Sequence, residues 1–163
     1  MVIRTIGPDE WPTARTVRLD ALAGSPSGTF STTHAEAAQW SEQQWREWTA
    51  RRHPFFVAVA ESGPVGSAGV IVTAGGPELV SVWTAPAARR TGVSDQLVQA
   101  VAEWARAAGH RKLRLWVLDG NRAAEQLYLR NGFTRTGAVQ PCGTDDPRPE
   151  NEMALSLPPI HPR

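Results

Sequence analysis

Two spacings of apolar residues run through the chain. Over Val2-Ile3-Arg4-Thr5-Ile6 apolar and polar positions alternate, as in a strand with one covered face. From Trp11 the spacing changes: Trp11, Ala14, Val17, Arg18, Leu19 and Leu22 predict a helix with Pro8 or Asp9 near its cap and an end near Gly24-Ser25-Pro26. Ser25 to Thr33 is interrupted by Pro, Ser and Gly, so it reads as a loop with Phe30 as its apolar anchor. A second helix is expected from Thr33 or His34 to Arg51. Thr32 or Thr33 would cap it, with Glu36 three residues after Thr33 in a capping-box arrangement.

Phe55 to Ala60 and Val65 to Val72 read as strands joined by the turn Glu61-Ser62-Gly63-Pro64. Gly75-Gly76-Pro77 then leads into Leu79-Val80-Ser81-Val82-Trp83-Thr84, a run rich in β-branched and aromatic residues that predicts a central strand. Alternation puts Leu79, Ser81 and Trp83 on one face and Val80, Val82 and Thr84 on the other, and Pro86 ends the run. The helical spacing returns at Val93, Leu97, Val98, Val101, Trp104, Ala105 and Ala108. Leu113 to Leu118 is a further strand, followed by a short helix with Ala124, Leu127 and Tyr128 on one side and a stop at Gly132. Phe133 to Val139 and Glu152 to Leu157 read as the last strands. Between them Pro141 to Glu150, with three Pro, is expected as a mobile loop, and the tail Pro158 to Arg163 as frayed.

The junction of the central strand and its helix carries the first candidate chemistry. Arg89-Arg90-Thr91-Gly92-Val93-Ser94-Asp95 places two cations and a glycine where a helix begins. Unpaired backbone N–H groups and the positive end of the helix dipole favour an anion there, and Gly92 lets the backbone approach a phosphate closely. Taken alone, the same residues equally describe a solvated turn. Charge sharpens the first reading. Residues 85–135 carry nine Lys/Arg against four Asp/Glu, whereas 1–84 carry six against eight and 136–163 two against four, although the whole chain is only +1.

Two motifs in order and spacing then give a resemblance to a known family. Arg89, Gly92 and position 94 match an Arg/Gln-x-x-Gly-x-Gly/Ala signature. Asn121, Ala124, Leu127, Tyr128, Gly132 and Phe133 match Asn-x-x-Ala-x-x-Leu-Tyr-x-x-x-Gly-Phe. From about Glu78 to Gly137 the chain resembles the core of the GNAT superfamily of acetyl-CoA-dependent N-acetyltransferases. One departure is Ser94, where the family has Gly or Ala. Ser is small and caps helices, so cofactor binding is expected to survive it.

The resemblance implies an α/β (α+β) fold with a mostly antiparallel mixed sheet of about six to seven strands flanked by about four helices. It also implies acetyl transfer to a primary amine. Acetyl-CoA would be held by Val82, Trp83, Thr84, Arg89, Arg90, Thr91, Gly92, Val93, Ser94, Asp95, Asn121 and Tyr128. Backbone N–H groups of 82–84 would polarise the thioester carbonyl and bond the pantetheine amides where the central strand splays from its neighbour. Tyr128 would donate to the departing sulfur, since a phenol can supply a proton or hydrogen bond; its plainer reading is a core Tyr beside Leu127. Asn121 would hydrogen-bond the pantetheine arm, order a water, cap the helix, or do more than one of these. For the general base, Glu78 at the start of the central strand is the carboxylate in reach. A solvated strand end accounts for it better than a base does, and His34 or ordered water could serve instead. The first two helices and their connection border the acceptor site in this family, which makes His34 and Glu36 further candidates.

Composition limits the alternatives. At 163 residues, 41% hydrophobic and 20% charged, one soluble globular domain spanning 1–163 is the expectation. Trp40, Trp45 and Trp48 fall near helical spacing and Trp83, Trp104 and Trp116 within apolar patterns, so they read as packing residues. With Cys142 the single cysteine, no disulfide forms within the chain. No apolar run approaches the roughly 20 residues of a membrane span. A cytoplasmic enzyme is expected, working without a metal, a nucleic acid or a membrane; a homodimer stays open. The acceptor is read as a small-molecule amine, with a protein or peptide acceptor, or a non-catalytic acyl-CoA-binding module, as alternatives.

Overall fold

The computed structural model describes residues 1–24 and 32–159. Seven strands form one sheet: β1 (Val2–Ile6), β2 (Phe55–Ala60), β3 (Gly63–Thr73), β4 (Gly76–Thr84), β5 (Lys112–Leu118), β6 (Thr134–Gly143) and β7 (Asp146–Ser156). Their order is β1-β2-β3-β4-β5-β7-β6, and every neighbouring pair is antiparallel except β4 and β5. The parallel pair lies where the chain must cross over through a helix, as a parallel connection requires. The expected mixed sheet is therefore present.

Five α-helices are described: α1 (Trp11–Gly24), α2 (His34–Ala38), α3 (Glu42–Ala50), α4 (Val93–Ala107) and α5 (Arg122–Arg130). α4 and α5 cover one face, where Leu97, Val98, Val101 and Leu127 pack with Val70, Leu79, Leu113 and Leu115 of the strands. α1 lies on the other face, closing over Ile6, Phe55, Val57 and Trp83 through Ala14, Val17 and Ala21. α3 joins this second layer through its tryptophans. Trp45 is fully buried, its ring 4.6 Å from Trp40 and 5.8 Å from Trp48, and Trp48 stands edge-on to Phe55 at 5.5 Å.

Three sequence expectations need correction. The helix expected from 33 to 51 is two helices, because Ser41 and Gln44 form a reciprocal capping box that starts α3 afresh. Thr33 does cap the first piece, accepting from the Glu36 N–H at 3.2 Å. The start of α1 is also different: a 3₁₀ turn at Pro8–Glu10 precedes it, and Gly7 caps that turn without a side-chain bond. The region Pro141 to Glu150 is not a loop, since β6 and β7 run on as a long hairpin with Pro141 opposite Pro149 and Gly143 opposite Asp146. Proline lacks an N–H, but two prolines facing each other occupy a pair in which neither needs to donate. Most of the Ser25 to Thr33 loop, and the end of the tail, lie outside the described residues.

α4 is held close to the sheet by a missing side chain. A Cβ at Gly66 on β3 would stand 2.8 Å from Leu97 Cδ1 and 3.1 Å from both Val93 Cγ1 and the Trp83 carbonyl oxygen. Leu97 is fully buried and has no room to withdraw. Gly66→Ala is therefore expected to destabilise the fold by about 1–3 kcal/mol. Denaturant unfolding measures this, and at this chain length Tm should fall roughly 2–4 °C for each kcal/mol.

Candidate active site

The centre of the site is a break in the alternation of β4. Val80 pairs with Gly69 and Trp83 with Ser67, so β4 fits one more residue than β3 between these pairs. The extra residue is accommodated at Ser81, whose φ of 56° lies in the left-handed region. A serine there stores strain and persists only when its surroundings hold it. Two side chains do so: Ser67 Oγ donates to the Ser81 carbonyl at 2.7 Å, and Arg52 Nε donates to Ser81 Oγ at 2.8 Å. The bulge corrects the predicted faces. Leu79 and Val82 pack toward α4, whereas Trp83 packs toward α1, so Leu79 and Trp83 do not share a face.

Beside the bulge the sheet opens. β4 and β5 pair only at Glu78 and Arg114, and beyond that point the backbone of β4 has no ladder partner on the β5 side. This is the splay expected near Val82 to Thr84. Of these residues Val82 is half-buried while Trp83 and Thr84 are buried, so Trp83 offers the opening its backbone and not its ring.

At the far end of β4 the chain turns through two left-handed residues, Arg90 with φ 64° and Gly92 with φ 87°, into α4. Gly92 is the N-cap, and no side chain satisfies the helix start. The first-turn N–H groups are thus available to an anion, in the concave arrangement that alternating left-handed residues produce. Arg89 and Arg90 are exposed and form no ion pair among the described residues. Thr91 Oγ1 donates to the Ala88 carbonyl and closes the loop. Val93 is buried in the core, so it faces the opening only through its backbone. Ser94 Oγ lies 2.6 Å from Thr84 Oγ1, tying the helix start to the strand end. Asp95 has a structural occupation: Arg130 grips its carboxylate at 2.8 and 3.0 Å, Asn131 Nδ2 adds a bond at 2.8 Å, and these hold the carboxyl below its ordinary range.

The second motif runs through α5 and its two ends. Asn121 caps α5 through its side-chain oxygen, which accepts from the Ala124 N–H at 3.3 Å, and its amide nitrogen remains as a donor. Tyr128 is buried, with its ring edge-on to Phe133 at 5.8 Å, and burial pushes its phenol above the ordinary value near 10. It is therefore protonated at any working pH. Glu78 is half-buried at the closed end of the opening. Burial raises its carboxyl, Arg114 opposes that shift, and Glu150 and Glu152 add to it. Glu78 lies three positions before Ser81, roughly 10 Å along the strand. His34 is exposed at the start of α2, and Glu36 engages the Thr33 cap through its backbone N–H.

Sequence reasoning did not single out Ser67, Ser81 or Arg52. Arg52 follows a helix end, where a cation is ordinary, and only contacts with β4 distinguish it. Ser67 Oγ is an unremarkable strand hydroxyl until the bulge gives it a carbonyl to hold.

The sheet parts beside an uncapped, cation-flanked helix start, an arrangement able to receive a phosphate-bearing ligand. The sequence profile of the Acetyltransferase (GNAT) family matches residues 19–133. The chain belongs to that family and is an acetyltransferase, an acyltransferase. Solved structures share the fold. A GNAT-family acetyltransferase from Streptococcus pneumoniae superposes with a TM-score of 0.76 at 17% identity, over 96% of this chain and 99% of that one. The ribosomal-protein-alanine N-acetyltransferase from Brucella melitensis gives a TM-score of 0.77 at 22% identity, over 96% and 100%. The protein yncA from Salmonella typhimurium, solved with its cofactor acetyl-CoA, gives 0.75 at 20% identity, over 100% and 97%. No curated protein matches the chain. No helix among the described residues is long and apolar enough to cross a membrane.

The bulge generates its own test. Ser81→Gly keeps a residue that adopts positive φ freely and loses one side-chain hydrogen bond, an effect of about 1 kcal/mol. Ser81→Val loses the same bond and forces a β-branched residue into the left-handed region, which adds about 1–3 kcal/mol. Denaturant melts should rank wild type, Gly and Val in falling stability. If Val proved as stable as Gly, the positive φ would not be constraining the strand.

Proposed function

We propose that the chain transfers acetyl from acetyl-CoA to the primary amine of a small molecule, within the opening between β4 and β5. The observation that carries this reading is the single β4–β5 pair, which leaves strand backbone facing an opening that leads to the uncapped start of α4. When bound, acetyl-CoA supplies an acyl group activated as a thioester. The remaining work falls to the protein.

In this reading the N–H groups from Thr91 to Asp95, with Arg89 and Arg90, hold the pyrophosphate. The hydroxyl of Ser94 is turned to Thr84, so it leaves the anion site open. Backbone N–H groups of 82–84 bond the pantetheine amides and stabilise the oxyanion that forms as the amine adds to the carbonyl. Asn121 steadies the pantetheine arm with its amide nitrogen. Glu78 accepts the amine proton through an intervening water, and its raised pKa makes it a better base than an ordinary carboxylate. Tyr128, held protonated by burial, donates to the sulfur as the carbon–sulfur bond breaks. The N-acetylated amine and free CoA are the products. We place this reaction in the cytoplasm and in a single domain spanning 1–163.

Cofactor binding is tested at the α4 start. Arg89→Ala combined with Gly92→Asp should weaken acetyl-CoA binding by about an order of magnitude or more, since a carboxylate would crowd and repel the pyrophosphate. Calorimetry on the folded double variant measures it, and unchanged affinity would remove this loop from the site.

The leaving group is tested at Tyr128. Tyr128→Phe keeps the ring against Phe133 and deletes the donor. Turnover should fall on the order of 10²–10⁴-fold with little change in acetyl-CoA affinity. A core role alone would leave turnover intact and reduce stability by at most about 1 kcal/mol. In the wild type, kcat/KM should be lost as pH falls through a pKa above the ordinary carboxylate value, because protonated Glu78 cannot accept, and Glu78→Gln should abolish that limb.

A further inference from the structure

The face of β4 turned toward α1 carries two cations that the acetyl-transfer chemistry leaves unused. Arg18 projects from α1 and is 5% exposed; Arg52 follows the end of α3 and is half-buried. Both guanidinium groups lie against one ring: their central carbons are 5.3 and 3.7 Å from the centroid of Trp48. Arg52 is fixed in place, with Nε on Ser81 Oγ at 2.8 Å and Nη1 on the Trp48 carbonyl at 3.0 Å. A guanidinium has five N–H donors in a rigid fork, and Nη2 of Arg52, which makes no hydrogen bond among the described residues, is left to receive a partner.

Nothing negative balances Arg52 among the described residues. It forms no ion pair there, and the charges that bear on it are Arg18 and Arg51. Burial, reinforced by those two neighbours, pushes Arg52 down to about 9, and burial brings Arg18 down to about 10. Both remain cations at neutral pH. Holding the Arg52 charge partly out of water is unfavourable unless an anion joins it. Fixing the Ser81 bulge needs only a neutral donor, so that task does not account for the charge.

Position supplies the rest. Arg52 touches Ser81, the residue at which β4 turns its following backbone into the opening, on the side of the sheet away from α4. An acceptor seated on this face meets the Arg52 fork next to the backbone of Val82. We propose that the acceptor is a small amino acid, whose carboxylate docks on Arg52 with Arg18 reinforcing the field, and whose amine reaches the acyl carbon a few atoms away. The inference rests on the reading of the β4–β5 opening as the acetyl-transfer site. Arg52 also disfavours the ammonium form of a nearby amine, which favours the neutral nucleophile.

The test compares acids with their neutral counterparts. Free-thiol release from acetyl-CoA is measured with the proteinogenic L-amino acids and separately with their carboxamides. Acids should be acetylated with kcat/KM about tenfold or more above the matched amides. Arg52→Gln should raise KM for the acid about tenfold or more beyond any change in KM for the matched amide, which reports the loss of the bond to Ser81 alone. Arg52→Lys, which keeps the charge and loses the fork, should fall between. The wild-type comparison stands even if a variant fails to fold. Equal use of acids and amides, equal damage to both in Arg52→Gln, or no thiol release from either set while acetyl-CoA binds would overturn the proposal and leave the cofactor reading intact. Failure of the wild type to bind acetyl-CoA would instead overturn the acetyl-transfer reading itself.

Discussion

The site depends on one constraint: a strand that must pair with β3 along its whole length and yet part from β5 after a single residue. β3 is long, and β4 follows it from Gly76 to Thr84. β5 meets β4 only at Glu78 and Arg114, because β5 is drawn away into a full ladder with β7. The extra residue at Ser81 reconciles these demands. It lets β4 keep its bonds to β3 while the backbone beyond it rotates, and a left-handed serine is the strain that rotation leaves behind. The opening is thus built into the sheet and does not wait on a ligand.

The two helical layers then divide the labour. α4 packs tightly on β3, where only a glycine fits under Leu97 and Val93, so its N-terminus is fixed at the end of β4. The Thr84–Ser94 contact joins strand end and helix start, and the Asp95–Arg130–Asn131 cluster ties α4 to α5. The start of α4 and Tyr128 are therefore held by one rigid block. In the opposite layer, α1 and α3, the tryptophans pack on one another and two arginines lie against Trp48.

Electrostatics follow the same division. On the α4 side the cations Arg89 and Arg90 are exposed, so their attraction is screened by salt. On the α1 side Arg18 and Arg52 are withdrawn from water, where a charge interacts strongly and selects its partner. A CoA phosphate suits the first setting and a single carboxylate the second.

Much of this was legible in the sequence because it is local. The helical spacing from Val93, the glycine at position 92 and the Asn121 to Phe133 motif each depend on residues a turn or two apart, and each lies where periodicity placed it. The break between α2 and α3 was legible too, in the Ser41–Gln44 capping box, although the run of apolar residues across it suggested one helix. The three prolines of 141–150 misled, since whether a proline breaks a strand depends on what faces it, and that is known only once β6 and β7 pair. The bulge was out of reach for the same reason: alternation along 79–84 is uniform in the sequence, and only the mismatch with β3 decides that one residue must turn the other way. Arg52 shows the limit most clearly. In the sequence it is one more cation after a helix, whereas its role comes from Ser81, Trp48 and Arg18, which only folding brings to it across distances that no periodicity encodes.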